Sequence, residues 1–454
     1  MSLSTLLQSV AGNTPGPLSK SVAHFARLSG RDLLARTETF LRWQDGRRNA
    51  EVWPYSRALM DAPHPRTRLR DELGRESEGI NFASHDYLSL STHPAIRDAG
   101  VRALYDFGPH SACSPMLQGN TALSLQLEQA VAEMVQMEHI ALFPTGWAAC
   151  YGTITALIRP DDHVILDNLA HASLQQGAQA ATRNVRRHEH LSLEAVRQHL
   201  QEIRAADTRN GILVVNEGLF SMDSDITDLQ ALQELCHEYD ATLLIDVAHD
   251  LGALGPNGTG QIGIQNMLGK IDLIVGSFSK TMATNGGFLA THSRAVKHYV
   301  KTFGGPHIFS SGLSPVQAAI ALEAIRIIRA PEGERLRTRL MSVVHHLRSE
   351  LAAAGLHCMG IPSGIVPVHI GSEKVARLVS ALLFRRGVFA NLVEFPAVAV
   401  GASRFRMLAM AAHTGDDVRT AVREFAQAVS EVRTALEQAD TTHAVVADRL
   451  STAA

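Results

Sequence analysis

One apolar run and the polar cluster that ends it constrain this chain most. Ile271 to Val275 is apolar apart from Asp272 and rich in β-branched residues, and it passes directly into Gly276-Ser277-Phe278-Ser279-Lys280-Thr281. A short run of this kind, closed by glycine, predicts a strand buried in a parallel sheet. Open α/β sheets bind ligands beyond the carboxyl ends of their strands, and Lys280 falls there among hydroxyls. Such a lysine suits imine formation with a phosphorylated aldehyde. The hexapeptide alone is equally compatible with a solvated lysine in a Ser/Thr loop.

A second strand end shifts the balance. Thr242 to Ile245 is another apolar run, and it ends in Asp246-Val247-Ala248-His249. A carboxylate at a buried strand end needs a partner. A protonated pyridine nitrogen would serve, and the carboxylate would keep that ring an electron sink. His249 could reach the ring hydroxyl or the imine. Asp246 as a helix cap with His249 as its polar neighbour is the plainer alternative. The two strand ends together, in this order, point to pyridoxal 5'-phosphate.

Other segments fit the same frame. Ile140 to Phe143 predicts a strand, and Pro144-Thr145-Gly146-Trp147 turns into a small-residue helix. A glycine turn of this kind offers helix N-terminal N–H groups to a phosphate. His171 follows the strand His163 to Asp167, where it could stack on a planar cofactor or simply cap a helix. Ile212 to Val215 leads into Asn216 to Asp223, with Glu217 and Ser221 as candidate site residues. The loop Phe107 to Asn120 leaves backbone N–H groups free, which suits an anion, a subunit contact or an ordinary surface loop. Strands alternating with helices argue a mostly parallel sheet with helices on both faces.

The chain is long enough for more than one domain. Residues 1–85 read as an arm and connector: Ala23 to Trp43 has helical spacing, and Glu51 to Gly79 is Pro- and Arg-rich. Within it, Trp53 to Arg57 reads as a packing element. Residues 86–330 form the large domain, 331–437 a smaller α+β domain, and 438–454 a frayed tail. With 45% hydrophobic residues, 19% charged residues and a net charge of −3, the composition is that of a soluble globular protein. The charge balance gives no reason to expect nucleic acid, and no membrane span or signal peptide is expected. The four scattered cysteines (Cys113, Cys150, Cys236, Cys358) suit a reducing cytoplasm. His188-x-His190 and His345-His346 lack further ligands at metal spacing and read as solvated faces, so no metal is expected.

The motifs Asn81-Phe-Ala-Ser-His-Asp-Tyr-Leu88, Asn168-Leu-Ala-His-Ala-Ser173, Glu217-Gly-Leu-Phe-Ser-Met-Asp223, Asp246-Val-Ala-His249, Gly276-Ser-Phe-Ser-Lys280, Ile308-Phe-Ser-Ser311 and Gly401-Ala-Ser-Arg-Phe-Arg406 occur in this order. From Asn81 to Glu437 the chain resembles the α-oxoamine synthases. This branch of the fold-type I pyridoxal phosphate enzymes includes 8-amino-7-oxononanoate synthase, 2-amino-3-ketobutyrate ligase, 5-aminolevulinate synthase and serine palmitoyltransferase. The middle stretch is also similar to the synthase domain of the enzyme that starts saxitoxin biosynthesis. The resemblance implies an α/β fold, with a mostly parallel seven-stranded sheet in the large domain. It also implies a decarboxylative condensation of an α-amino acid with an acyl thioester, giving an α-aminoketone, carbon dioxide and free thiol. An aminotransferase-like reaction is the alternative, and a non-catalytic binding protein is a third reading, which intact Lys280, Asp246 and His249 disfavour.

The resemblance assigns roles. Lys280 would join the cofactor aldehyde and act as acid and base, and Asp246 would pair the ring nitrogen. His171 would stack on the ring, with His249 and Ser221 near its hydroxyl. Ser277 and Thr145-Gly146-Trp147 would hold the phosphate, and Ser279 and Glu217 are further cofactor-binding candidates. Ser310 or Ser311 would reach the phosphate of a partner subunit, which implies a homodimer with shared sites. Arg404 would bind the amino-acid carboxylate. His85, Pro115 and Ser124 depart from the family pattern near the expected acyl entrance. His85 leaves the carboxylate contact there open, and a carrier-protein thioester is as plausible a donor as coenzyme A.

Overall fold

The computed structural model describes residues 16–451, with side chains through residue 439. In chain order its strands are β1 (Ala58–Leu59), β2 (Arg66–Arg70), β3 (Glu76–Phe82), β4 (His139–Phe143), β5 (His163–Asp167), β6 (Val185–His188), β7 (Ile212–Glu217), β8 (Thr242–Asp246), β9 (Leu273–Ser277), β10 (Gly287–Thr291), β11 (Ile365–Gly371), β12 (Val388–Val393) and β13 (Ser403–Leu408). The chain divides into two compact units. One is His85–Met341. The other joins the segment ending at Ser84 to the segment resuming at Ser342.

The His85–Met341 unit is built on a seven-stranded sheet ordered β4-β10-β9-β8-β7-β5-β6. Only β10 runs antiparallel to its neighbours; the remaining ladders are parallel. The expected fold class is therefore found. Side chains alternate across each strand, so residues two apart share a face. Ala141, Phe143, Val164, Leu166, Leu213, Val215, Leu244, Leu273, Val275 and Leu289 join one core with the helices Gly146–Leu157 and Ala172–Ala181. Their strand neighbours Ile165, Val214, Ile245 and Ile274 are equally buried. Both faces are covered, which is why these strands read as unbroken apolar runs. Because the strands are parallel, β5, β7, β8 and β9 end on one edge, and they deliver Asp167, Glu217, Asp246 and Ser277 there.

The other unit holds a six-stranded sheet, β1-β2-β3-β12-β13-β11. Residues 51–79, expected as a connector, supply β1, β2 and most of β3. In β2 the sequence Arg-Thr-Arg-Leu-Arg exposes three arginines and buries Thr67 and Leu69. That alternation is a strand signal which the proline and arginine content masks. The long helix expected over Ala23 to Trp43 is instead two short 3₁₀ turns, Val22–Phe25 and Ala35–Thr37, followed by a helix at Glu38–Asn49. Gly30, at φ +137°, interrupts the pattern with a backbone that side-chain-bearing residues rarely adopt. The arm thus belongs to the same unit as the C-terminal segment, and the later boundary falls within the helix Pro331–Ala353. The tail read as frayed from 438 lies mostly outside the described side chains; the backbone of the last helix is followed over Gly415–Ser451.

A buried ionic cluster fastens this unit. Glu394 accepts from Arg377 Nε at 2.6 Å and pairs with Arg47 Nη1 at 3.4 Å. Both guanidiniums also donate to the Lys20 carbonyl, at 2.8 and 2.9 Å, and Arg47 donates to Pro17 at 2.9 Å. Arg47 further lies over the Trp43 ring, 4.2 Å from its centroid. Trp53 meets Trp43 and Tyr55 edge-on, and Arg57 covers Phe384.

Candidate active site

A cavity of about 280 Å³ opens at the strand-end edge of the seven-stranded sheet. Thr145, Gly146, Trp147, His171, Glu217, Asp246, His249, Ser277, Ser279 and Lys280 all line it. These ten residues come from five separate strand ends, so the sheet brings them together.

One end of the cavity is a helix start. Thr145 caps the helix Gly146–Leu157 by accepting the Ala148 N–H at 3.0 Å. The first N–H groups of a helix have no intrahelical acceptor, and the helix dipole adds positive potential there. A Cβ on Gly146 would lie 2.5 Å from Ser277 Cβ, so glycine lets this turn approach the end of β9. Ser277 and Ser279 hydroxyls sit 2.7 Å apart on the same wall. Backbone donors, hydroxyls and a helix terminus together form an anion cradle.

The cavity floor is acidic. Glu217 and Asp246 are register partners on β7 and β8. Asp246 Oδ1 accepts the Ala248 N–H at 2.9 Å, and the Cys150 thiol lies 3.4 Å from Oδ2. Glu217 Oε1 accepts the His171 N–H at 2.6 Å. Burial and the neighbouring charge of Asp246 push the Glu217 carboxyl well above its usual range. Burial and the same aspartate push the Cys150 thiol up. Two adjacent carboxylates with proton affinity raised at one of them call for a cation in the cavity.

Histidines flank this floor. His171 caps the helix Ala172–Ala181, its Nδ1 2.7 Å from Ser173 Oγ, and its ring is exposed beside Trp147 at a centroid distance of 6.0 Å. His249 Nδ1 lies 3.0 Å from Tyr87 Oη. The His85 ring is 5.7 Å from that of His249. Cys150, Ser173 and Tyr87 were not singled out from the sequence. Cys150 sits on a small-residue helix turn with no motif to mark it, and Ser173 ends the motif around His171 but contacts that imidazole only once the helix start forms. Tyr87 lay inside a quoted motif, yet its tie to His249 depends on the fold.

Five expected residues stand apart from the lining. Ser221 is buried in the turn after β7. Ser310 donates to the Pro306 carbonyl, and Ser311 is exposed. His85 is not among the lining residues, and its ring also meets that of Tyr87 edge-on at 6.2 Å. Arg404 lies on β13 of the other unit, where burial lowers its pKa. One expectation is corrected. His188 is 1% exposed, and His190 contacts two carboxylates, so this pair is no solvated face. The fold turns both rings towards the end of β5, which the linear spacing does not reveal.

The lining suits pyridoxal phosphate: an anion cradle for the phosphate, Asp246 for a protonated ring nitrogen, and Lys280 for the aldehyde. Comparison with known proteins agrees. Residues 77–425 match the family model for aminotransferase class I and II. The 8-amino-7-oxononanoate synthase of Geobacter metallireducens is 33% identical over 345 residues, covering 76% of this chain and 87% of that protein. A serine palmitoyltransferase of Bacteroides ovatus is 31% identical over 380 residues, covering 83% and 93%. Among solved structures, serine palmitoyltransferase from Sphingomonas wittichii superimposes with a TM-score of 0.82 at 26% identity, over 89% of this chain and 99% of that one. A structure of serine palmitoyltransferase with pyridoxal phosphate also reaches 0.82, at 28% identity over 88% and 99%. The chain belongs to the aminotransferase class I and II family and, within it, to the α-oxoamine synthases, pyridoxal phosphate-dependent acyltransferases.

Proposed function

We propose that this protein joins an α-amino acid to an acyl thioester with loss of the amino-acid carboxylate, releasing an α-aminoketone, carbon dioxide and free thiol. One observation carries the reading: Lys280, Asp246, His249, His171 and the Thr145–Trp147 turn share a single cavity. Bound there, pyridoxal phosphate supplies an electron sink for the α-carbon.

The residues divide the remaining work. The Thr145-Gly146-Trp147 turn, Ser277 and Ser279 hold the phosphate. Asp246 would keep the ring nitrogen protonated, and His171 would cover the ring face. Ser221 and His249 would border the ring hydroxyl, Glu217 would lie beside the cofactor, and Tyr87 would fix the imidazole of His249. Lys280 Nζ takes the α-proton and later returns one. Arg404 grips the substrate carboxylate in two parallel hydrogen bonds, which selects the bond to be cleaved. His85 stands near the substrate.

A carbon–carbon bond forms between the α-carbon and the acyl carbonyl as the thiol leaves. Coenzyme A or an acyl-carrier protein brings the acyl group. The protein acts as a cytoplasmic homodimer in which Ser310 or Ser311 reaches across to the partner's phosphate. Phe309 beside them is 86% exposed. Among the described residues no helix is long and apolar enough to cross a membrane.

The test is carbon dioxide release from a panel of amino acids, with and without acyl thioester. Release that depends on thioester in the native protein and disappears in Lys280→Ala is expected. Amino-group transfer without carbon dioxide would replace this reading by an aminotransferase, and full turnover in Lys280→Ala would remove the mechanism.

A further inference from the structure

Two loops leave the strand ends beside the cavity that His171 and Glu217 line. Residues 168–171 follow β5, and residues 218–225 follow β7. Two links tie them together. The first is the His171 N–H to Glu217 contact already described. The second runs through His190, which lies outside the cavity, just beyond β6.

His190 Nδ1 is 2.8 Å from Asp167 Oδ1, and Nε2 is 2.9 Å from Asp225 Oδ2. Carboxylate oxygens at both nitrogens require a hydrogen on each, and only an imidazolium has both. Asp167 is fully buried and also accepts the N–H groups of Leu169 at 2.8 Å and Leu191 at 2.9 Å. The Asp225 carbonyl accepts the Phe220 N–H at 2.9 Å, and the Phe220 ring meets the imidazole edge-on at 4.5 Å.

We propose that His190 is a positioning residue: as an imidazolium bridging Asp167 and Asp225, it fixes the spacing of the two loops and so seats His171 and Ser221 against the cofactor. This rests on the roles given to His171 and Ser221 above. The groups facing His190 favour its charge. Asp167 and Asp225 touch it, Asp223 brings a carboxylate oxygen within 4.8 Å, and the neighbouring His188 is held towards neutrality by burial. Burial opposes the proton on His190 too, but the bonds to Asp167 and Asp225 outweigh it and push the pKa up to about 9. A group raised this way from 6.5 stabilises below its unfolded value, and the gain is lost as pH rises through about 9.

The experiment compares the native protein with His190→Gln, which is neutral, and His190→Arg, whose charge persists at high pH. Hydrogen exchange of residues 218–225 is read in the cofactor-free proteins, and pyridoxal phosphate release in the loaded ones. At pH 7, His190→Gln is expected to exchange and release about tenfold faster, as suits the loss of a charge-assisted bond. After correction for intrinsic rates, native exchange should accelerate through about pH 9, while His190→Arg stays flat and slow.

Native-like exchange in His190→Gln would overturn the proposal, as would a native profile flat through pH 9, which needs no variant to fold. Looser loops with unchanged release would break the link to the cofactor. His171→Ala separates the two layers. If it also releases the cofactor at the native rate, the role of His171 fails, whereas fast release there with unchanged release in His190→Gln sinks the His190 proposal alone.

Discussion

Glu217 and Glu394 are each 3% exposed, yet their surroundings are opposite. Glu394 is gripped by two guanidiniums, Arg47 and Arg377. Glu217 stands beside a second carboxylate, Asp246, and its acidity is suppressed by burial and that charge. Around Glu394 no cavity is needed, because the cluster is balanced from within by the arginines and the carbonyls they hold. Around Glu217 the charge of Lys280 across the cavity does not offset burial and Asp246. Burial alone therefore does not separate a structural carboxylate from a functional one. The distinguishing feature is whether the protein itself completes the electrostatics.

The contrast breaks most sharply at Glu394. Replacing it by Gln leaves two buried guanidiniums without their anion and should cost about 3–5 kcal/mol, read by denaturant unfolding. A loss below about 1 kcal/mol would mean the cluster is solvated after all. Asp246→Asn should retain the fold but lower turnover about a hundredfold or more, since an electrostatic partner of the reacting system is gone. Near-native turnover would deny Asp246 its role.

Glu217→Gln sharpens the comparison by doing little. Its carboxyl already holds a proton over a wide range, so the stability change of the cofactor-free protein should stay within about 1 kcal/mol near neutrality. The pH dependence should differ. Above the ordinary carboxylate value of 4.5 the unfolded chain releases a proton that the folded one keeps, so native stability falls as pH rises. Glu217→Gln should lack that decline, which amounts to at most about 1.4 kcal/mol per pH unit. Parallel pH curves would show the carboxyl to be ionised. The smallest effect is expected at Tyr87. Tyr87→Phe removes one hydrogen bond to His249 and should lower kcat about fivefold with KM little changed. A change in KM alone would place His249 in binding instead.

The legibility of the sequence follows the same division. The strand carrying Lys280 and the strand carrying Asp246 were readable because parallel strands buried on both faces leave unbroken apolar runs. β6 was not, since Val-Arg-Arg-His at the sheet edge has a single apolar residue. β2 was hidden by its arginines, although Thr67 and Leu69 keep a two-residue period. Cradle residues announced themselves through glycine, hydroxyl and lysine at strand ends. Cys150, Tyr87 and the His190 bridge did not, because their partners are distant in sequence and meet only through sheet order.

The antiparallel placement of β10 has a consequence for how the molecule comes into being. β10 lies between β4 and β9, pairing Gly287 with Phe143 on one side and with Ser277 on the other. The Thr145–Trp147 turn leaves β4, and Ser277 ends β9, so the sheet register of the two halves of the phosphate cradle is set through this late strand, while Gly146 lets them meet directly. A ribosome lays down β4 long before its partner exists, and strand pairings between distant segments are slow to form. The sheet register that aligns the cradle therefore depends on a strand that ends at Thr291, almost 150 residues after β4.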